Sequence, residues 1–407
     1  MSKSRIPIWV SLILLGVGLL AVGIPGVFVY MGVTATKVHP DSRNISSFTN
    51  SPPLPKWAGS AEQSRQIVRA SMSENNLAGL SVAVGIDGEF VWAEGFGFAD
   101  VESGLPVTPH HRFRTGTASI VFTSAAIGLL LDEGRLKLDD GIQHYVPEFP
   151  AKQWPVTVRQ AMGDVAGLKT EDPDNGVLTS SHCERPADAL ALFAKEPLLF
   201  QPGTQYRDST FGWVLLSAVV EAAADAPYAM FLNERIFRPL GMLDTFKESV
   251  TTPPPDTATS YNPRFAANPI YGLTPLPKFD YSCHAGSNGF LSTPSDLVRF
   301  GMAINRGKLL RPPTVQTLQT PQRLASGQDT GHGLGWDLKT VTLAGQQVQA
   351  AGHNGHFWVE EVASLLTFPD RGLTVAVMSN VSFAGTPAVA ERVAQTFAFQ
   401  GIGPAGK

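Results

Sequence analysis

The sequence predicts an α+β fold, an antiparallel β-sheet flanked by helices with a mostly helical subdomain set between its strands. Three observations lead there. Strand patterns with tight turns stand at both ends of the body, helical patterns fill the middle, and the stretch Ser119 to Glu133 is apolar on most faces, as a helix inside a domain must be.

Lys3 and Arg5 precede an uncharged, mostly apolar run from Ile6 to Val33. At about 1.5 Å per residue such a helix outspans a hydrocarbon core of about 30 Å, so residues 6–33 are expected to be one transmembrane anchor. Val33-Thr34-Ala35 offers the alternative of a cleaved signal. The basic end, residues 1–5, precedes the span, which favours a cytoplasmic N-terminus and a body exported to a periplasmic or extracellular face. Residues 34–60 turn to Ser, Pro, Asn and Thr and are expected to be a linker; residues 61–400 form the body, with a helical insertion at about 135–300; residues 401–407 are a tail.

Within the body, Ala61 to Glu74 carries helical patterning, and GLSVAVGIDGEFVWAEGFG reads as two strands around an Asp87-Gly88 turn. Gly134 is a natural stop for the buried helix. Ser209 to Ala224 and Ser295 to Asn305 follow as helices. The stretches HGLGWDLKTVTLAG, QQVQAAGHNG and ASLLTFPDRGLTVAVMSN then read as strands, and Pro387 to Phe399 closes as a helix.

Composition is that of a globular chain, 43% hydrophobic and 16% charged, and a formal net charge of -4 argues against a nucleic-acid partner. Cys183 and Cys283 are the two cysteines. In an oxidising compartment they could bond, and two buried thiols are the equal alternative.

Several strings, in order, carry a resemblance that runs from about Gly79 to Phe399: GFGFADVESGLPVTPHHRFRTGTAS, LLLDEGRLKLDDGIQHYVPEFP, VTVRQAMGDVAGL, FQPGTQYRDSTFGWVLLSAVVEAA, IFRPLGMLDT, GFLSTPSDLVRFGMAIN and GHNGHF. The chain resembles the serine β-lactamase and penicillin-binding-protein superfamily, with class C β-lactamases, D-alanyl-D-alanine carboxypeptidases, related esterases and mitochondrial β-lactamase-like proteins as its nearest look. That family's chemistry uses a Ser with a Lys three residues on, one turn along a helix, so that the amine takes the hydroxyl proton. A Y-x-N motif relays protons, and K-T-G or H-x-G on an edge strand positions substrate and supplies an oxyanion N–H. The resemblance implies no cofactor, because the acyl transfer is done by side chains.

Laid on this chain, the nucleophile position is Thr117 and the lysine position Ile120. The tyrosine position is Asp208, the asparagine position Thr210, and the loop histidine position Asp164. The third motif survives as His353-Asn354-Gly355, and His356 follows it as a further substrate-contact candidate. A threonine keeps a hydroxyl, but an isoleucine cannot take a proton, and a positioned base is worth about 10²–10⁴-fold in rate. Asp208 could replace the base if burial raised its pKa, and Asp164 close by would push in that direction; the plainer alternative is that both are solvated loop residues. Thr117 has its own plain alternative as a helix N-cap. Ser119 points to a different helical face and reads as structural. His353 and His356 with Glu360 and Glu361 lack any standard metal-ligand spacing.

The expectation is a catalytically impaired member that binds an acyl-peptide, β-lactam-like or cell-wall ligand in the ancestral cleft. The alternatives are a working esterase, peptidase or β-lactamase using Thr117 with a non-standard base, and a membrane-tethered scaffold.

Overall fold

The computed structural model describes residues 24–50, 52–170, 178, 180–248, 254–357 and 360–398; the side chains of residues 356, 357, 360 and 361 lie outside that description, as do the basic end at residues 1–5, residues 6–23 of the expected anchor and the tail. An antiparallel sheet organises the body. Its strands run in the order Ser47–Thr49, Glu89–Asp100, Gly79–Ile86, Leu373–Ser379, Glu360–Phe368, Gln346–Phe357 and Asp337–Leu343. Leu105–Pro106 adds a short eighth member beside Glu89–Asp100. The first long hairpin turns at Asp87 and Gly88 with φ of 52° and 85°, the two left-handed residues that a type I′ turn requires.

The central strands Gly79–Ile86 and Leu373–Ser379 are buried along almost their whole length, because helices cover both faces. Ala58–Glu74 and Thr386–Ala398 lie on one face, around Val82, Val375, Val389 and Phe397. There Ser60 Oγ donates to Thr396 O at 2.7 Å and Ser64 Oγ meets Thr396 Oγ1 at 2.7 Å, so the first and last helices of the body are tied to each other. Pro294–Asn305 packs against the other face, and beyond it lies the central helix Ile120–Asp132 in a second, larger apolar core. The apolar sequence of that helix is explained by its surroundings: nearly every residue is buried, and the chain leaves it through Gly134 at φ 69°.

The helical region holds Val158–Met162, Leu190–Phe193, Thr210–Ala224 and Tyr228–Leu232. Cys183 and Cys283, left open by the sequence, form a disulfide with Cα atoms 4.9 Å apart, which fastens the segment before Leu190–Phe193 to the turn at Ser282–His284.

The described residues of the stretch 34–60, linker-like in composition, lie along the body instead of standing free of it. Val38 N donates to Asn76 Oδ1 at 2.8 Å, and Ser47–Thr49 pairs with Glu94–Phe96, because the outer strand of the sheet offers unpaired backbone groups that the segment can satisfy. Among the described residues no single helix is long and apolar enough to cross a membrane; the apolar helix Ile24–Val33 is the part of the expected span that they contain.

Candidate functional site

Phe113–Arg114 pairs with Phe290–Ser292, and Thr115 extends the pairing by donating both its N–H and its hydroxyl to Phe290 O at 3.0 Å. Gly116, at φ 53°, then turns the chain into a short 3₁₀ segment, Gly116–Ser119, that feeds the central helix. Thr117 sits half-buried in this turn. Its Oγ1 donates to the backbone carbonyl of Asn354 at 3.1 Å. The N-cap positions of the two segments fall on Thr115 and Ser119, not on Thr117 as the sequence alternative had it, and the Thr117 hydroxyl reaches across to the edge strand. Ser119 is structural, its hydroxyl donating to Gly116 O and Ser287 O.

The edge strand comes this close because of Gly355. A Cβ there would lie 1.9 Å from Thr115 O and 3.0 Å from Ala363 Cβ, so only glycine lets the surviving motif lie against the nucleophile turn. A bulge between Gly355 and His356 re-aims the strand as it passes. His353 Nδ1 lies 2.8 Å from Asn354 O. A carbonyl only accepts, so Nδ1 carries a hydrogen. Thr117 and His353 thus converge on one oxygen. Asn354 is fixed from two further sides, by Ser364 Oγ donating to its Oδ1 at 2.6 Å and by its own N–H directed at Asp337 Oδ2 at 3.4 Å.

At the lysine position Ile120 is 6% exposed. The turn that passes it needs Gly335, where a Cβ would lie 2.6 Å from the Trp213 ring and 3.2 Å from Ile120 Cγ2. Apolar packing fills the place where the family keeps its amine.

The two aspartates do not share one environment. Asp208 is exposed and accepts the Tyr206 phenol at 2.6 Å. Asp164 is only partly open, which departs from the solvated-loop alternative. It stands at φ 53°, beyond Val158–Met162, where its carbonyl accepts from Arg207 N at 2.8 Å. Its carboxylate accepts from Ser209 N at 3.1 Å and Trp213 Nε1 at 3.3 Å. Burial and then the charge of Asp208 push its pKa well above the carboxylate range, against the pull of those two donors. Thr210, the first residue of its helix after the Ser209 cap, meets Thr170 Oγ1 at 2.9 Å.

Three residues that sequence reasoning did not single out join the two groups. His332 Nδ1 lies 3.1 Å from Asp337 Oδ1, and the Tyr206 ring stacks on His332 at 4.5 Å between centroids. Burial works to raise the pKa of Asp337, yet the charge of His353 and the His332 hydrogen bond hold it down at about 2. The hydrogen bond to Asp337 raises His332, against burial. Burial, then Asp164 and Asp208, push the Tyr206 phenol up. The signal lay in GHGLGWD, where Gly331 and Gly335 both adopt positive φ and fold His332 back towards Asp337; alternation of small and large residues gave that stretch the look of a plain strand.

Thr117, Asn354, Asp337, His332, Tyr206 and Asp208 therefore follow one another across the cleft, with Asp164 and Trp213 beside them. The arrangement can hold a polar ligand with backbone and side-chain donors and acceptors. It does not present an amine to the Thr117 hydroxyl at the family's helical position.

A family model described as Beta-lactamase matches residues 64–398. The chain belongs to the Beta-lactamase family. Among curated relatives, the human serine beta-lactamase-like protein LACTB, mitochondrial, is 26% identical over an alignment covering 88% of this chain and 84% of the relative. Penicillin-binding protein 4* of Bacillus subtilis is 24% identical, covering 77% and 71%. Among solved structures, a D-amino acid amidase from Ochrobactrum anthropi SV3 superposes with a TM-score of 0.70 at 23% identity, over 83% of this chain and 98% of the amidase, a likeness of fold. Fold and family are thereby those the motifs implied.

Proposed function

We propose that this Beta-lactamase-family chain is a membrane-anchored ligand-binding protein, impaired in acyl transfer, that takes an acyl-peptide, β-lactam-like or cell-wall ligand in the ancestral cleft, beside Thr117 and His353-Asn354-Gly355. One observation carries the proposal: the Thr117 hydroxyl directs its proton to the Asn354 carbonyl, while a buried Ile120 stands where the family places its base. A backbone carbonyl orients a hydroxyl but does not remove its proton at neutral pH. Loss of a whole catalytic unit costs up to about 10⁶-fold, leaving binding and oxyanion contacts. The anchor is supported by the uncharged run of residues 6–33.

A second reading has its own support. His353, which donates through Nδ1, meets Thr117 at a shared carbonyl, so its imidazole could serve a slow hydrolase. One experiment separates the two. The full chain, in detergent, is assayed on a chromogenic β-lactam and on short-chain p-nitrophenyl esters beside Thr117→Ala and His353→Ala. Thermal stabilisation by the compounds, with no turnover above that of Thr117→Ala, is the expected result. Turnover lost in both variants, or an acyl adduct on Thr117 seen by mass spectrometry, would establish the hydrolase instead.

A further inference from the structure

The hairpin formed by Tyr261–Pro263 and Leu273–Pro275 grips the end of the helix Ile24–Val33. Arg264 Nη2 donates to Met31 O at 3.0 Å and to Thr34 Oγ1 at 2.8 Å, and Nη1 reaches Thr34 O at 3.5 Å. A helix end leaves carbonyls without intrahelical partners and carries the negative end of the dipole, and a guanidinium answers both. Phe28 meets Phe265 and Tyr271 edge-on at 5.1 and 5.9 Å. Asn76 then locks the exit: Nδ2 donates to Pro269 O at 2.9 Å while Oδ1 accepts from Val38 N. The helix thus leaves the body at a fixed angle with no free spacer.

The surface around this junction is apolar and uncovered. Val29, Tyr30 and Val33 are 66%, 66% and 81% exposed, and Ala266, Ala267 and Ile270 stand open at the hairpin tip. From residue 261 to 276 the chain carries one arginine and no acidic residue. A protein partner would dry one stripe of the helix, whereas here the apolar side chains project on several sides and continue an uncharged run.

We propose that the 264–271 loop is a membrane-interface collar: Arg264 caps the helix where it meets the headgroups, and Phe265, Ile270 and Tyr271 rest in the interfacial layer of the bilayer that this helix enters. The inference rests on the anchor proposed above and adds to it a second contact and a fixed orientation. The chemistry suits that layer. Arginine can bury its stem and keep its charge among phosphates, aromatic rings favour the interface, and backbone groups at its edge need partners supplied from within the protein.

The test uses the full chain in phosphatidylcholine–phosphatidylglycerol vesicles. Ile270→Cys is labelled with bimane, which the bonded Cys183 and Cys283 leave unchallenged, and is quenched with doxyl-labelled lipid; Leu243→Cys, exposed on the body and outside the hairpin segment 261–276, is the reference. Quenching at 270 well above that at 243, and its loss in Arg264→Ala while the protein still floats with the vesicles, is the expected result. A floating protein whose position 270 is quenched no more than 243, or quenching that survives Arg264→Ala, overturns the collar and leaves the anchor standing. A chain that does not float at all overturns both.

Discussion

His332 and Asp337 face each other across a glycine turn, Nδ1 to Oδ1 at 3.1 Å, with the Tyr206 ring stacked on the imidazole. The pair has a defined pH window. Asp337 is held at about 2 against an ordinary 3.8, so its share of stability is present above 3.8 and disappears as pH falls through about 2. His332 is raised above 6.5, so its share is full below 6.5 and disappears as pH rises through the raised value. Asp337→Asn is expected to cost about 1 kcal/mol or less between about pH 4 and 6.5, since both partners are about a third open to water, and less at pH 9. Thermal melts of both proteins across pH check it.

Asp164 carries the opposite sign. Its carboxyl, raised by burial and by Asp208, contributes stability below the ordinary 3.8 that is lost as pH climbs through the raised value. Asp164→Asn keeps a neutral group that tolerates φ 53°. The variant is expected to show a flatter decline of melting temperature from pH 4 to 8. An unchanged slope would show that another group is responsible.

Gly355→Ala places a methyl 1.9 Å from a backbone carbonyl that cannot swing aside. The edge strand and the Thr117 turn must part, at a cost of about 1–3 kcal/mol. Denaturant unfolding measures the cost. Ligand-induced stabilisation, by whichever compound binds the parent chain, is expected to fall with it.

Ile120→Lys combined with Thr117→Ser restores the family's pair. The ammonium enters a place now filled by apolar packing beside Trp213, so a lower melting temperature is expected together with ester hydrolysis above the parent chain. Hydrolysis equal to that of Thr117→Ala would show that the cleft has lost more than its base.

The disulfide joins residues 100 apart in sequence. Closing so long a loop restricts the unfolded chain, and Cys183→Ala/Cys283→Ala is expected to lose about 2–5 kcal/mol. Melts with and without reductant give the same comparison in the parent protein.

Much of the fold was legible because local signals were strong. Asp87-Gly88 gave the hairpin, the apolar run at Ile120 gave the buried helix, and Gly134 gave its end. Thr117 and Asn354, both named from motifs, are hydrogen-bonded to each other, and Gly355 lies against Thr115. The Tyr206–His332–Asp337 link was not legible, because it joins a loop before one helix to a turn more than a hundred residues later, and pairing at that range leaves no periodic trace. Asp164 illustrates the same limit: an aspartate after a glycine looks like a turn, and only the fold shows Trp213 above it. His111, set in a polar stretch of sequence, is buried at 4%, its Nδ1 accepting from Thr108 N.

The hydroxyl contacts of Ser60 and Ser64 with Thr396 bring the two extremities of the body side by side. A circular permutant, stitched from residue 398 back to 58 and reopened at the exposed Gly104 turn, would keep both apolar cores apart from Ile45 and Trp57, and would shed the outer strand Ser47–Thr49 with everything upstream. Freed of the proposed anchor, such a rearranged protein is expected to dissolve without detergent and still present its cleft.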